Sequence, residues 1–161
     1  MINLIVLRFT QSLMKDMKVT PNDFDGSALF SWHANIYKLN NRKHILFVND
    51  FSRLCIIIDG VRTSQLTLLK EKFQATLKAY LTAEEVEEKS IVQYMKYTSE
   101  MMISRTNNRS VLGTMKEISI FESDDFIDNI QRLKWLNRLI YKPIDYNEPI
   151  KEFKKHIQEI N

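Results

Sequence analysis

The chain has 161 residues, of which 44% are hydrophobic and 27% charged, a composition typical of one globular domain with a substantial core. The formal net charge is +3, from 23 lysines and arginines against 20 aspartates and glutamates, so an anionic partner is permitted but not required. The single cysteine, Cys55, excludes an internal disulfide and a cysteine-rich zinc site, and it predicts a reducing, cytoplasmic location. No apolar run approaches the length of a membrane-spanning helix, and residues 1–9 lack the features of a signal peptide. We therefore expect a soluble protein with no membrane partner.

The first part of the chain is predicted to form a strand, a short helix and a loop. The apolar run 2–9 is typical of a strand in the middle of a sheet. Thr10 or Ser12 can cap the short helix that follows. Residues 19–27 contain one proline, one glycine and two aspartates, which predict a loop.

Residues 29–58 predict three consecutive strands. From Phe30 to Tyr37 apolar and polar side chains alternate, the period of an antiparallel strand with one buried face. The runs 44–48 and 54–58 are apolar on both faces, as expected where a strand is covered on both sides. This meander is the centre of the predicted fold.

Beyond the meander, the apolar spacing changes from that of strands to that of helices. Residues 66–81 predict one amphipathic helix. Thr82 and Glu85 have the spacing of a capping box, which predicts that a second helix begins there and continues over 83–97. A helix is also predicted over 111–120.

Three further boundaries are marked by polar residues or prolines. Residues 98–110 suit either the end of a helix or an edge strand. Residues 123–125 can cap a helix that Pro143 ends, and Pro149 can open a last helix.

Because strands come first and helices later, we predict an α+β fold. An antiparallel sheet, made of the amino-terminal strand and the meander over 29–58, would pack against a layer of helices. The chain has only three glycines and three prolines and shows no linker, so we expect a single domain over 1–161. Residues 121–161 would form a more individual helical part of that domain.

Three separated motifs carry a resemblance to a known family. They are SWHAN at 31–35, RKHILFVND at 42–50 and NRSVLGTM at 108–115. Together they resemble motifs of the bacterial family catalogued as domain of unknown function 6933, over roughly residues 1–120. The chain departs from the third motif at Thr114, Lys116 and Glu117, so it lacks an Asn-Asp pair found there in the family. The resemblance implies a small cytoplasmic protein of bacterial or phage origin, and it implies no particular activity.

His33 is the candidate catalytic residue. It lies on the polar face of its predicted strand, where an imidazole can act as an acid, a base or a ligand, or can simply bond to a neighbour. His44 and His156 have no partner at metal-ligand spacing, so no metal site is predicted. The chain also lacks phosphate-loop and dinucleotide-binding motifs, so no cofactor is predicted.

Residues 105–110 concentrate hydrogen-bond donors just before a predicted helix. Free amides at a helix start favour an anion, and guanidinium groups bind phosphate or carboxylate well. The alternative is that these residues only cap the helix and pair with a carboxylate. The candidate ligand-binding residues are Asn35, Asn49, Asp50, Arg62, Arg105, Asn108, Arg109 and Ser110.

Two of these polar segments are expected to meet in the folded chain. A buried guanidinium needs a carboxylate, so Asp50 is predicted to orient Arg109 and leave its other donors facing a pocket near His33. The alternative is a closed ion pair without room for a ligand.

Three functions fit these observations. The first is a non-enzymatic binding module for an anionic partner, either nucleic acid or a phosphorylated small molecule, through Arg105, Arg109 and Arg62. The second is a metal-independent hydrolase or ribonuclease-like toxin with His33 as base and Arg109 or Arg62 stabilising the developing charge. The third is a protein–protein interaction module, in the form of a homodimer.

Overall fold

The computed structural model describes residues 4–120, 126 and 128–160, which form an α+β fold around one five-stranded mixed sheet. Within these residues there are five strands and six α-helices. The strands are β1 (Ile5–Phe9), β2 (Ser31–Leu39), β3 (Arg42–Asn49), β4 (Cys55–Asp59) and β5 (Met101–Arg105). The helices are α1 (Gln11–Met17), α2 (Leu66–Ala83), α3 (Glu88–Tyr97), α4 (Arg109–Ile120), α5 (Asn129–Leu136) and α6 (Pro149–Ile157).

The strand order is β4-β3-β2-β1-β5. The antiparallel meander of β2, β3 and β4 is confirmed. The prediction of a wholly antiparallel sheet is wrong, because β1 runs parallel to both β2 and β5. Both parallel pairs have connections long enough for a crossover: residues 10–30 link β1 to β2, and the chain passes through α2 and α3 before reaching β5.

One face of the sheet carries the aromatic core. Ala34 of β2 lies opposite Phe47 of β3, which puts Trp32 and Phe47 on the same face. Both rings contact Phe73 of α2, with centroid distances of 5.2 Å from Trp32 and 4.6 Å from Phe47. The indole Nε1 of Trp32 also donates to the Tyr94 hydroxyl at 3.0 Å, which ties the sheet to α3.

The opposite face contains a buried row of polar side chains. Arg8 of β1 is in register with His33 of β2 on one side and with Ser104 of β5 on the other. All three residues are at least 96% buried. Helix α4, which was predicted over 111–120, covers the neighbouring part of this face and buries Val111 and Ile118 there.

Side chains from α5 and its carboxy-terminal cap cover β4, which is an edge strand. Asn137 accepts from the Cys55 amide at 2.7 Å and donates to the Cys55 carbonyl at 3.0 Å. Asn129 donates to the Ile57 carbonyl at 2.8 Å. These bonds satisfy backbone groups that an open edge would leave available to another chain. Burial in this apolar setting raises the pKa of the Cys55 thiol, so the side chain is an unreactive part of the core.

The predicted capping box at Thr82 and Glu85 is wrong. Helix α2 continues to Ala83, and the Thr82 hydroxyl donates to the Lys78 carbonyl within that helix. Glu85 adopts a left-handed backbone with φ of 59°, so the chain turns here and α3 starts only at Glu88. By contrast, the predicted cap of α1 is confirmed, since the Thr10 hydroxyl accepts from the Leu13 amide.

The cap predicted at 123–125 lies outside the described residues. Helix α5 is capped by Asp128, whose carboxylate accepts from the Gln131 amide at 2.9 Å. It ends at Leu136, well before Pro143, which lies in a 3-10 turn. Pro149 opens α6 as predicted.

An ion pair joins the end of α2 to the residues after α5, between a Glu84 side chain that is 5% exposed and an Arg138 side chain that is 47% exposed. Burial alone would raise the pKa of Glu84, but hydrogen bonds from Arg138 at 2.7 and 2.8 Å, and from the Tyr80 hydroxyl at 2.6 Å, lower it overall. In the described part of the chain, no helix is both long enough and apolar enough to cross a membrane.

Candidate anion-binding site

The 105–110 turn is held in place by hydrogen bonds to three buried side chains. It runs from the end of β5 to the first turn of α4. Arg8 is 4% exposed, His33 is 0% exposed and Arg53 is 6% exposed. Each of them bonds to a different part of the turn or its flanks. The turn is therefore positioned by the sheet and by the loop after β3.

Arg8 fixes the beginning of the turn. One of its terminal nitrogens, Nη1, donates to the Ser104 hydroxyl at 3.3 Å and to the Arg105 carbonyl at 3.1 Å. The other, Nη2, donates to the Phe24 carbonyl at 2.8 Å, which also ties down the 19–27 loop. Its Nε is buried and has no partner among the described residues. Arg8 thus links strand, loop and turn through carbonyl and hydroxyl oxygens.

His33 fixes the middle of the turn. Its Nε2 accepts from the backbone amide of Asn107 at 3.3 Å, so the ring proton of the neutral imidazole lies on Nδ1. That Nδ1 lies 2.7 Å from Oδ1 of Asp50, whose side chain is only 10% exposed. Both ring nitrogens are engaged and the ring is inaccessible to solvent. His33 therefore has no nitrogen free to act as a general base on a substrate.

Arg53 fixes the end of the turn. It donates through Nη2 to the Ser110 hydroxyl at 2.8 Å and through Nη1 to the Asp50 carbonyl. Burial lowers the pKa of Arg53, and the nearby Asp50 carboxylate offsets part of that effect. Arg53 has a left-handed φ of 65°, which directs it out of the tight turn after β3.

The segments around Asp50 and Arg109 meet, but not through the predicted contact. Asp50 pairs with His33, and its backbone is held by Arg53. Arg109 is exposed, and no carboxylate of the described residues lies within ion-pair distance of it. His33 is fully buried, and it does not line the described clefts that contain Arg105, Arg62, Met115 or Met102.

Asn49 holds the turn that follows β3. It is fully buried, and its amide nitrogen donates to the Leu29 carbonyl at 2.9 Å. Its side-chain oxygen accepts from the amide and the hydroxyl of Ser52 at 2.9 and 3.0 Å. The structure places this candidate ligand-binding residue inside the protein, as part of an Asx turn.

Asn108 and Asn35 are also engaged with the protein itself. The Asn108 side chain accepts from the amides of Ser110 and Val111 at 2.9 and 3.2 Å and so caps α4. The Asn35 side chain accepts from the Thr10 hydroxyl at 2.5 Å, which ties β2 to the start of α1. Ser110 receives the bond from Arg53 while remaining exposed at the surface.

A basic cleft of about 830 Å³ lies between α1 and the start of the 105–110 turn. Three of its lining residues are the exposed cations Lys15, Lys18 and Arg105. In the described part of the chain, none of these three side chains has a hydrogen bond or an ion pair. The full lining is Gln11, Met14, Lys15, Lys18, Val19, Pro21, Arg105 and Thr106, which includes no carboxylate.

The fold explains why these cations converge. Parallel strands β1 and β5 end side by side, with Phe9 in register with Arg105, so the segments after them meet at one edge of the sheet. Lys15 lies in the last turn of α1, and Lys18 is the carboxy-terminal cap directly after it, so both lie at the end of α1. The intervening carboxylate, Asp16, pairs with Lys43 and so does not neutralise them.

Arg62 lines a separate depression. Its neighbours there include Lys43 and Gly60, and its backbone amide donates to the Gln65 side chain at 2.9 Å. Arg109 and Ser110 are exposed on the first turn of α4 and do not line the basic cleft. Of the candidate cations, the structure therefore places only Arg105 in that cleft.

A comparison with protein families agrees with the resemblance of the three sequence motifs. The model of the family described as domain of unknown function (DUF6933) matches residues 6–152. The chain belongs to this family. The match includes all three motifs and continues beyond residue 120 into the carboxy-terminal helices. No curated protein and no solved structure matches the chain.

Sequence reasoning missed four basic residues of this DUF6933 protein that build the site. Two lysines at the end of a short helix that directly follows a strand, Lys15 and Lys18, could have indicated a basic edge. Arg8 stands alone in an otherwise apolar strand, which is itself a signal of a buried polar role. Arg53 gave no such signal, because its partner Ser110 becomes a neighbour only when the loop after β3 meets α4.

The described residues of the family member contain no group of three or more histidine, cysteine, aspartate or glutamate side chains arranged to hold a metal ion. His44 lies 3.5 Å from Asp59, and His156 is bonded to the Glu152 carbonyl at 2.9 Å. These two histidines therefore have local partners at separate places in the fold.

Proposed function

We propose that this protein is a non-enzymatic binding module for an anionic partner, nucleic acid or a phosphorylated ligand, and that the basic cleft is its binding site. The observation that carries the proposal is a set of three cations, Lys15, Lys18 and Arg105, that line one concave surface and have no partner among the described residues. Cations without counterions in a concavity create a focused positive potential that attracts anions. Arginine and lysine side chains also form strong charge-assisted hydrogen bonds with phosphate oxygens.

The fixed backbone around Arg105 supports binding by this side chain. Arg8 holds the Arg105 carbonyl, and His33 holds the Asn107 amide two residues later. A cation on a fixed turn loses less conformational freedom when it binds than one on a mobile loop. The buried polar row under the turn thus acts as a support for the cleft.

The composition of the cleft favours binding over hydrolysis. Its lining residues include no histidine, aspartate, glutamate or cysteine, the side chains that most often act as acids, bases or nucleophiles. His33 lies under the turn with both nitrogens engaged. These observations support a module that recognises an anion without transforming it.

A cytoplasmic location is part of this proposal, and the single, buried Cys55 is compatible with it. The homodimer and the protein–protein interaction module stay predictions. Light scattering after size-exclusion chromatography tests both the dimer and its dependence on concentration.

Fluorescence anisotropy tests the proposal with labelled single- and double-stranded oligonucleotides, with inorganic pyrophosphate as competitor, across a salt series. Arg105→Gln and Lys18→Gln should each weaken binding by about five- to tenfold and flatten the salt dependence. Lys155→Gln is the matched control, because it removes an exposed positive charge from α6, away from the cleft. If no anion binds at low ionic strength, or if the control weakens binding as much as the cleft variants, the proposal is refuted.

A further inference from the structure

We infer that the ligand of the basic cleft is a small organic phosphate or diphosphate with an aliphatic carbon part, and not a nucleic-acid strand. This inference rests on the proposed function and specifies its ligand. The number of cations in the cleft, its apolar wall and its size all support this ligand.

One feature that supports a small phosphate ligand is the number of cations in the cleft. Three cations without partners line the cleft, which suits one phosphate or diphosphate group. A nucleic-acid strand carries a charge about every 3.4 Å and is bound by an extended row of cations. The depression around Arg62 is a separate one and would add only that cation, because its Lys43 is already paired with Asp16.

The cleft also has an apolar wall beside its cations. Met14, Val19 and Pro21 line the cleft beside the cations, so a ligand whose phosphate meets the cations can place carbon atoms on this wall. None of the lining residues is aromatic. Single-stranded nucleic acids are usually held by bases that stack on aromatic rings, and this cleft offers no such surface. The wall therefore favours aliphatic carbon over a nucleobase.

The volume of the cleft and its neutral polar side chains also fit a small ligand. A volume of about 830 Å³ lies in the range of clefts that bind small molecules. Gln11 and Thr106 add neutral side chains that can donate to an ester oxygen or accept from a hydroxyl group. A phosphate ester of a short aliphatic alcohol matches this combination of cations, neutral polar groups and apolar carbon.

Isothermal titration calorimetry with the unmodified protein tests the inference with inorganic phosphate, methyl phosphate, butyl phosphate and hexyl phosphate. Affinity should rise along the series, with butyl phosphate on the order of tenfold tighter than inorganic phosphate, since added methylene groups leave water for the apolar wall. A short single-stranded oligonucleotide should bind more weakly than butyl phosphate at the same ionic strength. The chain-length series needs no substitution, so it does not depend on a variant that folds poorly.

Two variants then separate the phosphate contact from the carbon contact. Lys18→Gln should weaken inorganic and butyl phosphate by the same factor, about five- to tenfold, and Lys155→Gln should change neither. Val19→Thr should lower the affinity for butyl phosphate and leave that for inorganic phosphate unchanged. Thermal unfolding of each variant checks that it is folded at the titration temperature.

The outcomes distinguish this inference from the proposed function. A flat series, with an oligonucleotide bound tightly and lost in Lys18→Gln, would overturn the aliphatic phosphate and leave the anion-binding module standing. Absence of binding by every anion would overturn both. The result that we expect is a rising series in which Val19→Thr lowers the affinity for butyl phosphate and Lys18→Gln weakens both inorganic and butyl phosphate.

Discussion

Replacing His33 by alanine separates a structural role for this residue from a catalytic one. The imidazole is fully buried, so its removal leaves a cavity that should destabilise the fold by about 2 kcal/mol. The lost hydrogen bond to the Asp50 carboxylate, 2.7 Å long, should contribute about 2 kcal/mol more. We therefore expect His33→Ala to lower the free energy of unfolding by about 4 kcal/mol.

Urea unfolding followed by tryptophan fluorescence measures this loss. Asp50→Ala should lower the free energy of unfolding by about 2 kcal/mol, and the double variant should lose about as much as His33→Ala alone, because both substitutions remove the same hydrogen bond. His44→Ala is the matched control. That histidine is also in a strand but lies 3.5 Å from an exposed carboxylate, so its loss should stay below about 1 kcal/mol.

Two results would refute this reasoning. A His33→Ala variant that unfolds like the unmodified protein would show that the ring is not buried against Asp50. Strictly additive losses in the double variant would show that the two side chains do not contact each other.

The remaining predictions concern the core, an ion pair and an absent contact. Phe47→Ala should lower the free energy of unfolding by about 3–5 kcal/mol because the ring is buried against α2, while Lys154→Ala should be near neutral; equal losses in urea melts would mean that the core is misplaced. Because the pKa of Glu84 is lowered in the folded protein, its ion pair stabilises the fold above the unfolded pKa of this side chain, and that stability is lost as pH falls below about 4. Glu84→Gln should therefore make the free energy of unfolding less dependent on pH in the acid range, and an unchanged pH dependence would count against the ion pair. Asp50→Asn and Arg109→Lys should be additive within about 0.5 kcal/mol in a double-mutant cycle, and strong coupling would restore the contact that the sequence suggested.

Elements defined by local periodicity could be predicted from the sequence. The strand at β2 and the helical spacing of α2 were predicted correctly. The prediction that only one face of β2 is buried is wrong, because Ser31 and His33 on its polar face are buried as well. The direction of β1 was not predicted correctly, because parallel and antiparallel strands with apolar side chains look alike. Thr82 matched a capping pattern by spacing alone, but its hydroxyl is used inside α2.

The candidate site shows a similar division. Polar residues on one face of β2 made His33 a candidate functional residue. Sequence alone could not show that α4 and the 105–110 turn bury it. Arg105 was named from its donor-rich segment and lines the basic cleft. Lys15 and Lys18 were not, because the edge where they meet Arg105 exists only once β1 and β5 lie side by side.

The most direct test of the basic cleft is a nuclear magnetic resonance titration of the isotope-labelled protein with inorganic pyrophosphate at low ionic strength. We expect the backbone amide signals of Lys15, Lys18 and Thr106 to shift in a saturable way, while those of Arg62 and of α6 stay in place. Shifts centred on Arg62 or α6, or no saturable shift at any amide, would contradict the assignment of anion binding to this cleft.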